Sequence, residues 1–184
     1  MFGFFKKKKA PEQAAASKVP YILAIADCIS RNNSTVHDSL EHCRNDRAAY
    51  AVQFAERFAE RGIDAASCDM DTLCWIAMAD ELEAVHDLIG VDSSSEPEDF
   101  LWAVSQLNGG ETLDFSGLDL SEDADVFQWC AACNELLRQQ GMLLCGVDID
   151  SDDLQLILVT AAEYDKISAL AEQAGHRIAP AETL

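Results

Sequence analysis

Residues 141–178, GMLLCGVDIDSDDLQLILVTAAEYDKISALAEQAGHRI, decide the reading of the chain. The run Met142 to Val147 has the length and apolar content of a buried strand. Asp148-Ile149-Asp150-Ser151-Asp152-Asp153 follows, and Asp and Ser side chains hydrogen-bond their own backbone in turns. A second apolar run, Leu154 to Val159, comes at once, so the pair reads as a β-hairpin. Beyond it, Ile167, Leu170, Ala171 and Ala174 share one face at helical spacing, and Gly175 stands where a helix C-cap belongs. The unit is strand, turn, strand, helix.

The same residues carry a resemblance. The apolar strand, VDIDSDDLQLILV, the helix and the closing Ala-Gly-His-Arg-Ile resemble the C-terminal end of a bacterial domain-of-unknown-function family with a D-x-x-S-D turn between two strands and a short terminal helix. The resemblance covers the last quarter of the chain and departs from the pattern at Asp153, where the family has an aromatic residue. It implies a bacterial, intracellular α+β protein and no particular activity.

Upstream, the chain is mainly helical. Met1 to Val19 is a basic, Ala-rich leader unable to form a core, and residues 20–184 read as one acidic globular domain. A first helix spans Tyr21 to Arg31, ending at Asn32-Asn33. Asn45 or Asp46 caps a second that runs to Gly62 with Ala49, Val52, Phe54, Ala55, Phe58 and Ala59 as its apolar stripe. Asp69 or Asp71 caps a third that runs to Gly90 with an apolar face wide enough to be central to the packing. A loop, Val91 to Asp99, leads to a fourth from Glu98 to Leu107. Leu113 and Phe115 suggest a short strand, and Ser121 caps a fifth helix through Trp129, Cys130, Cys133 and Leu137 to Gly141. The expected fold is α+β: a helical N-terminal two-thirds on a small antiparallel or mixed sheet built around the C-terminal hairpin, with helices on one face.

Charge narrows the function. Thirteen basic residues face 33 acidic ones, a net charge of −20. Five of the basic residues, Lys6, Lys7, Lys8, Lys9 and Lys18, lie in the first 18 positions; from Val19 onward eight basic residues face 32 acidic, about −24. Such a field repels nucleic acid and anionic membrane and attracts basic proteins. Seven scattered cysteines without a secretory signal argue for free thiols in the cytoplasm. Phe2, Phe4 and Phe5 beside Lys6, Lys7, Lys8 and Lys9 fit either a disordered leader or a weak anchor on the inner face of the membrane.

The motifs that carry chemistry are incomplete. Cys130-Ala-Ala-Cys133 lies inside a helix without the second ligand pair that structural zinc uses. His37, Asp38, Glu41, His42 and Cys43 make a partial metal or Cys-His set in the connection after the first helix, and His86 reads as a partly exposed helix histidine. Asp148 to Asp153 resembles both a calcium loop and a phosphotransferase motif, but Val159 stands where the first needs Glu and Asp152 where the second needs Thr or Val. Neither a glycine-rich phosphate loop nor a nucleophile elbow occurs. The expectation is a non-enzyme with no cofactor and no metal: an acidic interaction protein for a basic partner, sharpest as an immunity protein neutralising a cationic toxin. The alternatives are a metal-dependent hydrolase using the Asp148–Asp153 turn and a peripheral membrane-tethered protein. The expected contact patch is Glu96, Glu98, Asp99, Asp119, Glu122, Asp123, Asp125, Asp150, Asp152 and Asp153, on three loops at one edge of the sheet.

Overall fold

A computed structural model describes residues 17–184. The expected leader, including Phe2 to Lys9, lies outside the described residues.

Helix α1 (Val19–Ile29) starts with a proline in its first turn, where the missing N–H has no partner to lose, and buries Ile22, Ile25, Ala26 and Ile29. The segment after it is not a connection but a helix, α2 (Ser34–Asn45), begun by Asn33 accepting from the Thr35 N–H at 3.0 Å. Its apolar face is only Val36, Leu40 and Cys43, at spacings of four and three, which a polar surround hides from a composition reading. The expected single helix to Gly62 is two: α3 (Arg47–Gln53), capped by Asp46, and α4 (Ala55–Glu60), broken at Phe54 (φ −111°, ψ 25°). At the break Phe54 tilts onto Tyr50 with centroids 4.5 Å apart, and the Arg57 guanidinium lies over its ring.

Helix α5 (Met70–Ala84) is the axle. Asp69 caps it, and every residue from Leu73 to Leu82 is buried, as a helix surrounded on all sides requires. It ends six residues before the expected Gly90, because Leu88 is followed by a strand, β1 (Ile89–Val91). Helix α6 (Pro97–Gln106) matches the expected fourth helix. Leu113 and Phe115 form no strand; a 3-10 turn, Gly110–Thr112, precedes them. Helix α7 (Val126–Gln139) is capped by Asp125 rather than Ser121, through a reciprocal box with Gln128.

The hairpin is β2 (Met142–Val147) against β3 (Leu154–Thr160), with Leu144 opposite Leu158. Thr160 caps helix α8 (Ala161–Ala174) in a box with Glu163, and Gly175 closes it at φ 78°. Strand β4 (Ile178–Pro180) completes an antiparallel sheet ordered β1-β3-β2-β4. Helices cover both faces, not one. Leu143, Cys145, Val147, Ile157 and Val159 join the core made with α1, α2, α5 and α8; Leu144, Leu154, Leu156 and Leu158 point the other way, into the core made with α6 and α7. Both faces being buried is why each strand of the hairpin is a continuous apolar run rather than an alternating one.

Candidate functional site

Strand register brings the first two acidic segments together. Val91 pairs with Leu154, so the chain leaving β1 at Asp92 emerges beside the hairpin turn Asp148–Asp153. The Asp148 carboxylate accepts from the Asp150 N–H at 3.2 Å, and Ser151 Oγ from the Asp153 N–H at 3.3 Å. These local bonds hold Asp150 in the left-handed region at φ 58°, which Asp tolerates better than most side chains. Asp92 accepts from the Ser94 N–H at 2.7 Å, and that bond holds its carboxyl below the usual range. The Trp75 indole N–H donates to the Asp148 carbonyl at 2.8 Å, pinning the turn to α5.

Between turn and helices lies an open recess of about 800 Å³. Its apolar lining is Ile63, Ile76 and Ile149; its charged lining is Glu60, Asp92, Asp150, Asp152, Asp153 and Arg61. The arginine is committed elsewhere, since its guanidinium meets Asp80 at 2.6 and 2.9 Å. Burial pushes the Asp80 carboxyl up despite that partner. A smaller recess of about 380 Å³ shares Thr72, Ile76, Ile149 and Asp150 and is flanked by His176, which stacks flat on Trp75 with centroids 4.2 Å apart. Burial, with Lys18 nearby, pushes the His176 imidazole below its ordinary pKa.

The remaining acidic segment lies along α7, with the main chain of Asp114 exchanging hydrogen bonds with the Gln140 side chain at the C-terminal end of that helix. The Phe100 and Trp129 rings, one from the first turn of α6 and one from that of α7, lie 5.7 Å apart. Trp129 donates its indole N–H to the Ser121 carbonyl at 2.9 Å, folding the acidic loop over α7. Glu96, Glu98 and Asp99 stand at the start of α6 and Asp125 at the start of α7, with Glu122 and Asp123 just before it in the chain. All ten carboxylate residues of the expected patch are exposed, and among the described residues none of them is paired with a cation. Asp125 also has an internal task as the α7 cap.

The other sequence candidates are dispersed. His37 turns to Asp27, its Nδ1 2.8 Å from the carboxylate, and that hydrogen bond raises its pKa. Cys43 is buried with its sulfur 3.6 Å from that of Cys74, and His42 packs edge-on to Tyr50. His86 lies past the end of α5 with φ 61°. Cys130 and Cys133 are buried free thiols, Cys133 pushed up to about 12 by desolvation. Among the described residues no three His, Cys, Asp or Glu side chains converge as a metal ion would need. Sequence reasoning missed the pairing of buried Asp80 with Arg61 and of buried Glu81 with Arg57, and the Trp75–His176 stack. The one available signal was adjacent acids, Asp80-Glu81, inside an otherwise apolar helix.

The family model described as Domain of unknown function (DUF6630) matches residues 22–181. The chain belongs to this family. The match extends the C-terminal resemblance over nearly all of the described residues, and both the hairpin turn and the acidic ends of α6 and α7 are DUF6630 positions. No curated protein and no solved structure matches the chain. No helix among the described residues is long and apolar enough to cross a membrane.

Proposed function

We propose that this DUF6630 protein is an acidic interaction module that docks a basic protein on the hairpin end of its sheet, with neutralisation of a cationic toxin as the sharpest case. The observation that carries the reading is the unbalanced charge of that end. Five arginines, Arg31, Arg44, Arg57, Arg61 and Arg138, are paired with Asp87, Glu41, Glu81, Asp80 and Glu182 and with none of the ten carboxylates; Arg61 lines the recess but is held by Asp80. A partner's cations complete what the chain itself leaves unneutralised. The recess suits an Arg or Lys side chain: the isoleucines receive the aliphatic stem, and the rim carboxylates receive the charged head. Carboxylates exposed on loops act mainly on the rate of encounter, which salt suppresses.

Neutralising the turn tests the reading. Asp150→Asn, Asp152→Asn and Asp153→Asn together keep the turn's hydrogen-bonding capacity, and Asn accepts the left-handed conformation of residue 150. The expected result is slower association with a basic partner isolated from the source cell, a shallower salt dependence, and stability within about 0.5 kcal/mol of the parent. Association unchanged by the triple substitution overturns the reading. The hydrolase alternative requires several carboxylate oxygens about 2.0–2.6 Å from one cation, and it finds no such group among the described residues. The membrane-tethered alternative rests on Phe2 to Lys9, outside the described residues.

A further inference from the structure

Strand β1 is an edge of the sheet, and the alternation of hydrogen bonds decides which of its main-chain groups are free. Asn134 takes both main-chain groups of Leu144, so the Leu144–Leu158 pair exchanges no bonds across the hairpin. The main-chain groups of Leu158, and by alternation those of Leu156 and Leu154, therefore point towards β1, where Ile89 and Val91 face the last two. Gly90, opposite Gln155, is left with its N–H and C=O directed off the sheet. Beside it lies a cleft of about 210 Å³ walled by Gly90, Asp92, Ser95, Asp99 and Trp102. Trp102 is 63 % exposed, which leaves its ring free to take a partner, and Glu98 and Asp99 precede it by one helical turn on the same side of α6. Among the described residues no cation pairs with Asp92, Glu98 or Asp99. The buried Gln155 amide lies against Gly90: a Cβ there would stand 3.3 Å from its Nε2 and 3.6 Å from its Oε1. Nε2 donates to the Asp153 carbonyl at 3.4 Å, whereas Oε1 is the one buried side-chain oxygen or nitrogen among the described residues with no hydrogen-bond partner.

We infer that this edge accepts, as a further strand with an arginine over Trp102, an extended segment of the basic partner proposed for the hairpin end, on which reading it rests. The segment residue opposite Gly90 closes two main-chain hydrogen bonds with it, as strand addition to a free sheet edge does. Its side chain falls on the Gln155 face, where Gly90 has no Cβ to bar the way and a hydroxyl or amide donor satisfies Oε1. The next residue of the segment points to the opposite face, that of Ile89, Val91 and α6. An arginine there lies over the Trp102 ring with its guanidinium between Asp92 and Asp99, stacked and neutralised at once. Charge decides against a second copy of this chain as the occupant, because it would bring the same carboxylates to face these. Asp92 lines both this cleft and the hairpin recess, so one basic protein spans the two.

Titration calorimetry of the full chain at physiological ionic strength, with a peptide of about eight residues alternating Thr and Arg and capped at both ends, tests the assignment. N-methylation of every Thr removes the donor to the Gly90 carbonyl and is expected to weaken binding by about tenfold, the factor that 1.4 kcal/mol carries. N-methylation of every Arg, whose N–H groups point away from Gly90, is expected to leave affinity within about twofold. Trp102→Ala, an exposed change whose folding circular dichroism verifies, is expected to weaken the unmethylated peptide by about tenfold. The Asp150→Asn, Asp152→Asn, Asp153→Asn chain is expected to bind that peptide within about twofold of the parent. Equal binding of the two methylated peptides, or affinity indifferent to Trp102→Ala, overturns the strand addition and leaves the charge-based reading of the hairpin end in place. Affinity that falls with the triple substitution but not with Trp102→Ala puts the peptide in the recess and overturns it too. A chain that binds no peptide and sediments as a dimer has a second copy on the edge, which also overturns it.

Discussion

Asn134 is the side chain on which the α7 face of the sheet depends. It is fully buried, and its amide bonds Leu144 twice, Nδ2 donating to the carbonyl at 2.8 Å and Oδ1 accepting from the N–H at 2.7 Å. The reason lies in register. Cys145 faces Pro180, so Leu144 would face residue 181, but there the chain leaves β4 for a 3-10 turn. The Asn134 amide stands in for the missing strand residue, and its Nδ2 also donates to Glu182 at 2.6 Å. Asn134→Ala orphans two buried main-chain groups at about 1–3 kcal/mol each, so the expected loss is about 2–6 kcal/mol. At a urea slope of about 2 kcal/mol per molar, the unfolding midpoint falls by about 1–3 M. Asn134→Asp keeps the acceptor for the Leu144 N–H but sets a carboxylate against the Leu144 carbonyl and Glu182, so its deficit shrinks as acid protonates it. A midpoint for Asn134→Ala within the error of the parent refutes the strand-substitute account.

Three further outcomes follow from the packing and the histidines. A Cβ at Gly110 would lie 2.5 Å from the Val104 carbonyl oxygen and 3.0 Å from that of Ser105, both main chain, so Gly110→Ala costs about 1–3 kcal/mol, read from thermal or urea unfolding. Burial lowers the His176 pKa, so below the unfolded value of about 6.5 the unfolded chain binds more protons and stability falls with acid. His176→Phe keeps a ring on Trp75 and should flatten the acid side of a stability-against-pH curve. His37, raised by Asp27, has the opposite sign: its contribution is complete below about pH 6.5 and is lost as pH rises through its folded value, so His37→Ala flattens the neutral side.

The C-terminal half was legible because its signals agree: two apolar runs, an Asp-Ser knot, a helix with Thr160 before it and Gly175 after it. Where signals were weak or misleading, packing decided. Helix α2 carries three apolar residues on one turn face and reads as a loop until α5 covers it. The α3–α4 stripe has core spacing, yet only Phe58 is buried while Ala49, Val52, Ala55 and Ala59 stay exposed, because Phe54 breaks the helix to pack on Tyr50. Strands β1 and β4 have three residues each, too short for periodicity, and exist by pairing with β3 and β2. The position of the acidic loops depends on those strands and on the Phe100–Trp129 contact, a relation between distant residues that no local pattern carries. The Trp75–His176 stack joins α5 to the turn after α8 and was hidden for the same reason.

The central claim, that the hairpin end recruits a basic protein through charge, is tested most directly by association kinetics. The measurement compares the parent with the Asp150→Asn, Asp152→Asn, Asp153→Asn chain against the same basic partner from the source cell, at low and at physiological ionic strength. The account predicts that the parent associates faster at low salt, that the difference narrows as salt screens the field, and that dissociation changes less than association. Equal association rates at low salt, or a source cell that yields no basic partner, contradict it.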